Sequence, residues 1–496
     1  MRILAALALV AATACAPKRL TLPDPLDAAL PAVDDCSVFE DAALARKLDR
    51  RTRSEPRGGN AVDLLVDGAE AYARRFDNTR DADLVLVKTF IFTDDETGRA
   101  VADLLRERVR AGATVVVQYD LKGSISGAAE ALALSDGAPM DALLRDTPLL
   151  AALARDGVIV VPTNVPRTAR GAKQMLRAQQ ELAQAAKDDR VAKLALGSAL
   201  TRFDHEKYWI TGKVGPDGAV SLTAILGGMN IASEYAYGGT DRVDAGTGRG
   251  GWRDTDIEVR GPVTEDIVRR YFEVLEGNVD AWPAGLDRAK WQVSQPAAGE
   301  AEARFVWNQP AWGTRSRVVW LYRELVRATP DTGIVRLASA YFTPGPRLRR
   351  PLVKRLAAGG RLAVITNSPE STDMGIVTTA SRGAYHHLLD AAPHAALHEW
   401  APQPGRHTFH SKIASFGTCG PVIVGSANLD GLSSLHNSES VLLVRDAGLR
   451  AEMDAVFEAD LAASRRLTAD ELAAIPTLTR WSQLGVYFLG WRFLGE

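Results

Sequence analysis

Leu84-Val-Leu-Val-Lys-Thr-Phe-Ile-Phe-Thr93 is an apolar run of the length and composition of a buried strand. A helix-like segment over 98–111 follows it, then Gly112, then a second apolar run over 113–120. A strand, an amphipathic helix, a glycine stop and a second strand make up a βαβ unit. Because such a unit joins parallel strands that are buried between helices, this stretch predicts an α/β protein.

The same order of elements returns in the second half of the chain. It begins with Gly333-Ile-Val-Arg-Leu-Ala-Ser-Ala-Tyr-Phe-Thr343 and continues with a helix-like segment over 348–358 and a strand over 361–366. The chain has 496 residues, which is more than one ordinary core accommodates. We therefore expect two similar α/β sandwich domains, each a mixed sheet flanked by helices, related by a pseudo-two-fold axis. Their predicted bounds are 61–295 and 303–496.

Each half also carries a His-x-Lys motif, which the apolar residues around it place on a strand. The first is His205-Glu-Lys207 and the second is His410-Ser-Lys412. Residues i and i+2 of a strand point to the same face of the sheet. Each histidine should therefore project together with its lysine.

Further polar residues recur at matching places after the two motifs. Asn230 and Asn428 each follow a glycine-led turn at the end of the next predicted strand. Glu234 and Glu439 each lie 29 residues after the histidine of their half. One His-x-Lys occurs by chance, whereas two of them with the same asparagine turn and the same glutamate spacing form a specific signal.

With these motifs the chain resembles the phospholipase D superfamily, and within it the bacterial cardiolipin synthase branch. The segments that carry the resemblance are 90–98, 205–212, 227–235, 252–256, 260–262, 341–344, 366–373, 410–417 and 425–430. The resemblance implies an enzyme with one active site at the interface of the two domains. Because both motifs are in one chain, a monomer is sufficient for a complete site.

The residue types fit the chemistry of a phosphodiester. Two lysines and two asparagines can stabilise charge on the equatorial oxygens in the transition state. A neutral histidine can attack phosphorus while a protonated one gives its proton to the leaving alcohol. From the sequence alone the two histidines are interchangeable; the resemblance makes His205 the nucleophile, through a phosphohistidine, and His410 the acid. We expect Glu234 and Glu439 to hold the imidazole tautomers, and we expect no metal and no cofactor.

The chain departs from the superfamily motif at two places. The family has an aspartate five residues after each lysine, where this chain has Gly212 and Gly417. One hypothesis is an inactive protein that only binds lipid in the cell envelope. The other is that the aspartate serves the fold and that the eight histidine, lysine, asparagine and glutamate residues suffice. The second hypothesis predicts an active enzyme.

A phospholipid is the expected substrate, with phosphatidylglycerol and phosphatidylethanolamine as candidates. Transfer to a lipid alcohol and hydrolysis share the same covalent intermediate, so the sequence leaves phosphatidyltransferase and phospholipase D activity both open. A nuclease or another phosphodiesterase of the same superfamily is the alternative. The formal net charge is only -2, and no basic stripe is interleaved with aromatic residues, so nucleic acid is not the expected partner.

The N-terminus looks like a bacterial lipoprotein signal. Residues 1–15 comprise a basic start, a short apolar run and small residues before Cys15, which would be lipidated. Residues 16–60 are expected to be an N-terminal extension. The predicted location is the cell envelope, as a membrane-anchored lipoprotein facing the periplasm; the alternative is a soluble periplasmic protein cleaved at the same bond.

Other features leave two interpretations each. Cys36 and Cys419 could pair after export, but we expect two free thiols. Trp252 and Asp254 either support the site or only pack. Residues 123–200, helical above all over 172–188, are expected to form a capping hairpin. The aromatic stretch 481–493 either packs against the core, which we expect, or lies at a lipid interface.

Overall fold

The structure is a computed structural model that describes residues 36–121, 123–124, 147–164, 203–243, 248, 250–309, 316–392 and 394–491. The predicted signal with Cys15 and the predicted helix over 172–188 lie outside the described residues. No helix among the described residues is long and apolar enough to cross a membrane.

A mixed sheet of fifteen strands runs through the described residues. The strands of the first half are β1 (Arg57–Val66), β2 (Leu84–Thr89), β3 (Thr114–Asp120), β4 (Ile159–Thr163), β5 (Tyr208–Val214), β6 (Val220–Gly227) and β7 (Thr255–Arg260). Those of the second half are β8 (Ala301–Asn308), β9 (Ile334–Ala338), β10 (Arg361–Asn367), β11 (Ala396–Trp400), β12 (Ile413–Phe416), β13 (Val422–Gly425), β14 (Glu439–Arg445) and β15 (Ser464–Leu467).

The two halves repeat one strand order outward from the antiparallel pair β1–β8. The first half continues β7-β6-β5-β2-β3-β4, and the second continues β14-β13-β12-β9-β10-β11, with β15 added at its edge. Strands β2–β3 and β9–β10 are parallel, as a βαβ unit requires. The predicted fold, two similar α/β halves built on mixed sheets, is confirmed.

Helices cover both faces of the sheet. They are α1 (Ala42–Thr52), α2 (Asp67–Arg80), α3 (Glu96–Arg110), α4 (Thr147–Arg155), α5 (Ser233–Ala236), α6 (Thr264–Asn278), α7 (Arg288–Trp291), α8 (Arg317–Ala328), α9 (Pro346–Ala357), α10 (Gly375–Ala391), α11 (Gly431–Leu435), α12 (Ala447–Ala462), α13 (Ala469–Ala473) and α14 (Thr477–Gly490). A short 3₁₀ helix, Cys36–Phe39, precedes α1.

Helix α3 shows how the sequence sets these elements. Asp95 caps it by accepting a hydrogen bond from Gly98 N at 2.8 Å. Val101 and Leu105, four residues apart, are buried on one face. The chain leaves the helix through Gly112, whose φ of +90° favours glycine, and returns as β3.

The apolar core has three layers. The middle layer contains residues of both halves, among them Ile257 of β7, Ile413 of β12, Leu442 of β14 and Phe457 of α12. One outer layer packs α2, α3 and α4 on the first half, and the other packs α8, α9 and α10 on the second half. Because the middle layer is shared, the two halves are fixed against each other by buried apolar surface.

The segment that precedes β1 packs on the second half. Phe39 and Leu48 belong to the outer layer of that half, and Lys47 pairs with the buried Glu324 at 2.5 Å. Residues 57–60, predicted to be part of an extension over 16–60, already belong to β1. Sequence patterns do not show that this segment docks on the second half, because the contact depends on the three-dimensional path of the chain.

Cys36 and Cys419 form a disulfide with a Cα–Cα distance of 5.8 Å. The expectation of two free thiols is therefore wrong. The cysteines are 383 residues apart in sequence, so only the docking of the N-terminal segment beside the β12–β13 turn brings them together.

The two glycines five residues after the motif lysines are explained by different local surroundings. A Cβ at Gly212, in β5, would lie 2.7 Å from Cζ3 of the buried Trp291 and 3.2 Å from Cβ of Leu84. Gly417 follows β12 with a φ of +64°, and its carbonyl accepts a hydrogen bond from Arg450. An indole thus fills the space at the first position, and a left-handed backbone occupies the second.

Reduction should destabilise the folded protein through the Cys36–Cys419 disulfide. Loss of so long a covalent loop is expected to lower the free energy of unfolding by about 2–5 kcal/mol. Urea unfolding of protein lacking residues 1–15, with and without dithiothreitol, measures this. The double variant Cys36→Ser/Cys419→Ser should be insensitive to the reductant, and equal stability of oxidised and reduced wild type would contradict the disulfide.

An aspartate in place of Gly212 should destabilise the fold. Gly212→Asp drives a carboxylate into the Trp291 ring, and we expect a loss of about 3 kcal/mol or more from overpacking and an unpaired buried charge. Urea unfolding of this variant is compared with that of Gly375→Asp, where a Cβ meets nothing within 4 Å at the start of α10. Equal stability of the two variants would show that Trp291 yields easily.

Candidate active site

The two His-x-Lys motifs lie directly before strands β5 and β12. The sequence analysis places them within strands, so the strands begin later than predicted. His205 N donates to the carbonyl of Ser438 at 3.0 Å, and His410 N donates to the carbonyl of Arg253 at 2.7 Å. The backbone N–H of each histidine therefore bonds to the opposite half of the chain. Both histidine side chains are buried.

His205 is held by a carboxylate from the second half. Its Nδ1 lies 3.0 Å from Oε2 of Glu439, the first residue of β14. The hydroxyls of Ser426 and Ser433 donate to the same carboxylate at 2.6 and 2.7 Å. These bonds satisfy a fully buried carboxylate and fix its position against the ring.

His410 is held at Nδ1 by a carboxylate from the first half that the sequence analysis had not assigned to it. Its Nδ1 lies 2.6 Å from Oδ2 of Asp254, just before β7. Glu234, which was expected to hold a tautomer, lies in α5 with a half-buried side chain, and its carbonyl accepts from Trp252 N at 2.7 Å. The equal spacing of 29 residues thus did not point to Asp254, the carboxylate at Nδ1 of His410, and the role of Glu234 stays a prediction.

Strand pairing shows why Asp254 is the counterpart of Glu439. The last residue of β6 and the last residue of β13 are both glycines. In each half, the residue paired with that glycine lies two positions after the carboxylate that contacts a histidine. These pairs are Gly227–Asp256 and Gly425–Val441. The first half has a longer connection between its asparagine and its acid, so equal spacing was a coincidence. The segment 252–256, which contains Asp254 and already carries part of the family resemblance, could have indicated this carboxylate.

The two asparagines occupy equivalent turns. Oδ1 of Asn230 accepts from the backbone of Phe90 and Ile91 at 3.2 and 3.1 Å, and Nδ2 donates to Tyr235 Oη at 2.8 Å. Oδ1 of Asn428 accepts from Ser339 Oγ at 3.4 Å. Its buried Nδ2 has no hydrogen-bond partner among the described residues, so a donor is left for a ligand.

Both motif lysines fold back beside their own histidine. Lys207 Nζ donates to the carbonyl of His205 at 3.0 Å, and Lys412 Nζ donates to the carbonyl of His410 at 2.6 Å. The side chains are buried. Two ammonium groups close to two imidazoles suit a site for an anionic group.

The first motif is anchored by a buried ionic network that the sequence did not reveal. Glu206, between the histidine and the lysine, pairs with Lys88 and with Arg270, the latter at 3.0 Å. Burial alone would raise the pKa of Glu206, but Arg270 and Lys88 together lower it. Lys88 also pairs with Asp204 at 2.9 Å. The trace of this network in the sequence is the run of consecutive charged and polar residues from Asp204 to Lys207.

The second motif is anchored differently. Ser411 Oγ lies 2.9 Å from Thr255 Oγ, and Arg253 donates to the Ser411 hydroxyl at 3.3 Å. Arg253 in turn forms a bidentate pair with Asp460 at 2.8 and 2.9 Å. The same residue donates to the carbonyl of Asp254, so it also fixes the carboxylate that holds His410.

With a carboxylate at Nδ1 of each imidazole, attack or proton transfer would use Nε2. A carboxylate at Nδ1 favours the tautomer with hydrogen on Nδ1 and stabilises the positive charge that protonation or phosphorylation of Nε2 creates. Each half supplies the histidine of its own motif and the carboxylate of the other. The site can therefore carry out nucleophilic attack and proton transfer only when the two halves are joined.

Comparison with known proteins agrees with this geometry. The sequence profile described as "Cardiolipin synthase, PLD-like domain" matches residues 323–461. Cardiolipin synthase B of Salmonella typhimurium is 26% identical over 398 residues, 79% of this chain and 78% of that protein. Cardiolipin synthase A of Pseudomonas syringae is 24% identical over 457 residues, 87% of this chain and 77% of that protein.

A solved structure shares the fold. The phosphatidylserine synthase of Haemophilus influenzae superposes with a TM-score of 0.62 at 12% identity, covering 91% of this chain and all of that one. Together with the duplicated α/β halves and the paired His-x-Lys motifs, these similarities support the phospholipase D superfamily, and its cardiolipin synthase-like branch, as the family that this chain resembles.

Proposed function

We propose that the protein is an enzyme that transfers or hydrolyses the phosphatidyl group of a phospholipid. The observation that carries this proposal is the reciprocal pair of imidazole–carboxylate contacts, His205–Glu439 and His410–Asp254. The relatives named cardiolipin synthase A and B support a phospholipid as the substrate. Phosphatidylglycerol, with or without phosphatidylethanolamine, is the substrate to test first.

The proposed reaction has two steps. Nε2 of His205 attacks phosphorus, the bond from phosphorus to the leaving alcohol breaks, and His410 gives its Nε2 proton to that alcohol. His410 then takes the proton of an acceptor hydroxyl, which attacks the phosphohistidine and releases His205. A lipid alcohol as acceptor gives a phosphatidyl transfer product, and water gives phosphatidic acid.

The surrounding side chains would stabilise the charges that form during these two steps. Glu439 stabilises the positive imidazole of the phosphohistidine, and Asp254 stabilises the protonated His410. The two motif lysines and the amide of Asn428 provide donors for the equatorial oxygens. The assignment of attack to His205 rests on family resemblance, because the geometry of the two pairs is alike.

The glycines at 212 and 417 do not argue for an inactive protein. Each lies five residues beyond its lysine, roughly 16 Å along an extended chain. At 212 a buried indole fills the space, and at 417 Arg450 binds the backbone carbonyl. Local packing thus replaces the missing aspartates, while the groups around the imidazoles are present.

Export to the cell envelope, with Cys15 lipidated, is part of the proposal. The disulfide between Cys36 and Cys419 supports it, because disulfides persist in oxidising compartments and are rare in the cytoplasm.

Contact with a membrane surface is proposed for α14. Its buried side carries Gln483 and Tyr487, and Tyr487 Oη donates to the carbonyl of Pro344 at 2.6 Å. Its outer side presents apolar residues with large exposed fractions: Leu478 83%, Trp481 55%, Phe488 54% and Leu489 73%. Tyr487 therefore packs against the core, as expected for this stretch. The exposed Trp481 and Phe488 support the alternative of a lipid interface.

Removing one carboxylate partner should slow the reaction strongly without unfolding the site. Asp254→Asn and Glu439→Gln are each expected to lower turnover of phosphatidylglycerol about 10²–10⁴-fold, because an amide favours the wrong tautomer. Products are followed by mass spectrometry with protein lacking residues 1–15, beside His205→Ala and His410→Ala.

Two outcomes would contradict this assignment. If Glu234→Gln slowed the reaction more than Asp254→Asn, Glu234 would be the partner of His410. If folded wild type turned over no lipid, and no phosphoryl adduct could be trapped on its His205 by alkaline quenching, the proposal of a lipid enzyme would fall and a nuclease or an inactive lipid-binding protein would take its place.

The outer face of α14 should contribute to vesicle binding. Trp481→Ser/Phe488→Ser is expected to weaken binding to phosphatidylglycerol-containing vesicles about tenfold or more, because two large apolar side chains no longer leave water. Co-sedimentation of protein lacking residues 1–15 measures this. Val243→Ser, which removes an exposed apolar side chain elsewhere, should bind like wild type; equal binding of all three proteins would sink the role of α14.

A further inference from the structure

A cavity of about 400 Å³ lies between α6, β8 and the segment joining α1 to β1. None of the eight polar residues of the proposed active site lines it. Its walls are rich in one residue type, and five arginines face it: Arg53, Arg57, Arg269, Arg270 and Arg317.

Three of these arginines have acidic partners. Arg57 and Arg269 both pair with Asp266, Arg57 at 3.1 Å. Arg270 pairs with Glu206 at 3.0 Å and donates to Gln309 at 2.8 Å. Their positive charge is therefore largely balanced by the protein itself.

The other two arginines are not balanced. Among the described residues, neither Arg53 nor Arg317 forms a hydrogen bond or an ion pair through its guanidinium. Arg53 is exposed, but the Arg317 side chain is only 9% exposed. Burial, together with Arg53 and Arg270, lowers the pKa of Arg317, and Glu273 offsets this only in part. A buried cation among like charges is costly unless something anionic joins it.

Trp307 holds this cluster together. The guanidinium of Arg270 lies 3.9 Å from the centroid of its ring, and that of Arg317 lies 4.4 Å from it. Cation–π contact orients both groups beside the cavity without neutralising them. Guanidinium groups in such fixed positions match the oxygens of a phosphate.

We propose that this cavity is a second anion-binding site that accepts a phosphate group, from a lipid headgroup or from free phosphate. The other carboxylates of the cavity do not cancel the charge, since Asp49 pairs with Arg304, Glu55 is exposed to solvent, and Glu273 offsets the like charges around Arg317 only in part. The site communicates with the first His-x-Lys motif through Arg270, which binds Glu206 between His205 and Lys207. It stands on these contacts alone and does not depend on the proposed reaction.

Tryptophan fluorescence tests the site directly, because Trp307 lies in its wall. Wild-type protein titrated with inorganic phosphate should show a saturable change in emission that is absent in Trp307→Phe. Arg53→Gln and Arg317→Gln should each raise the dissociation constant about tenfold or more. Arg327→Gln on α8 removes the same charge from a side chain that is 52% exposed outside the cavity, and should bind like wild type.

A second titration distinguishes the two sources of phosphate. Dihexanoyl phosphatidylglycerol below its micelle concentration should compete with phosphate for the Trp307 signal if a lipid headgroup is the ligand; phosphate binding without competition would identify free phosphate. The absence of a Trp307-dependent signal with either probe would overturn the site, as would unchanged affinity in Arg53→Gln. Because Arg53 is exposed, that variant decides the test if Arg317→Gln does not fold. Lipid turnover is not the readout, so failure of the proposed reaction leaves this result separate.

Discussion

The site depends on two imidazole–carboxylate contacts that cross between the halves of the chain. A buried carboxylate is tolerated only where donors satisfy it, and Glu439 and Asp254 each find a ring nitrogen on the opposite half. These contacts need the halves to be docked closely, and the shared middle layer of the core supplies that docking. Stability of the interface and orientation of the reactive groups are thus one structural requirement.

The sequence predicted the parts of this structure that repeat. Two βαβ units and two His-x-Lys motifs were visible because each is local and each recurs. The contact of Asp254 with His410 was not visible. The connection before Asp254 is longer than the one before Glu439, so equal residue spacing did not identify Asp254. Likewise, the Cys36–Cys419 bond and the Arg270–Glu206 pair join segments far apart in sequence, so no local pattern could reveal them.

The two motifs are alike in geometry but not in their support. Charged groups surround Glu206 behind the first motif, whereas hydroxyl groups and the Arg253–Asp460 pair lie behind the second. The proposed reaction would assign different roles to the two histidines, since one attacks while the other carries a proton, and this difference in surroundings suits such roles. The duplicated fold provides matching positions, and the residues behind each motif give the two positions different electrostatic surroundings.

The docking of α1 on the second half has a consequence for synthesis. This helix is synthesised before α8, which carries Glu324, the partner of Lys47, and α8 follows only after most of these 496 residues have been made. A segment whose native contacts are so distant in sequence has no partner while the chain is extended, and such topologies fold slowly. During synthesis from the N-terminus, the segment before β1 would therefore remain undocked. It could pack in its native position only after the last third of the chain had been made.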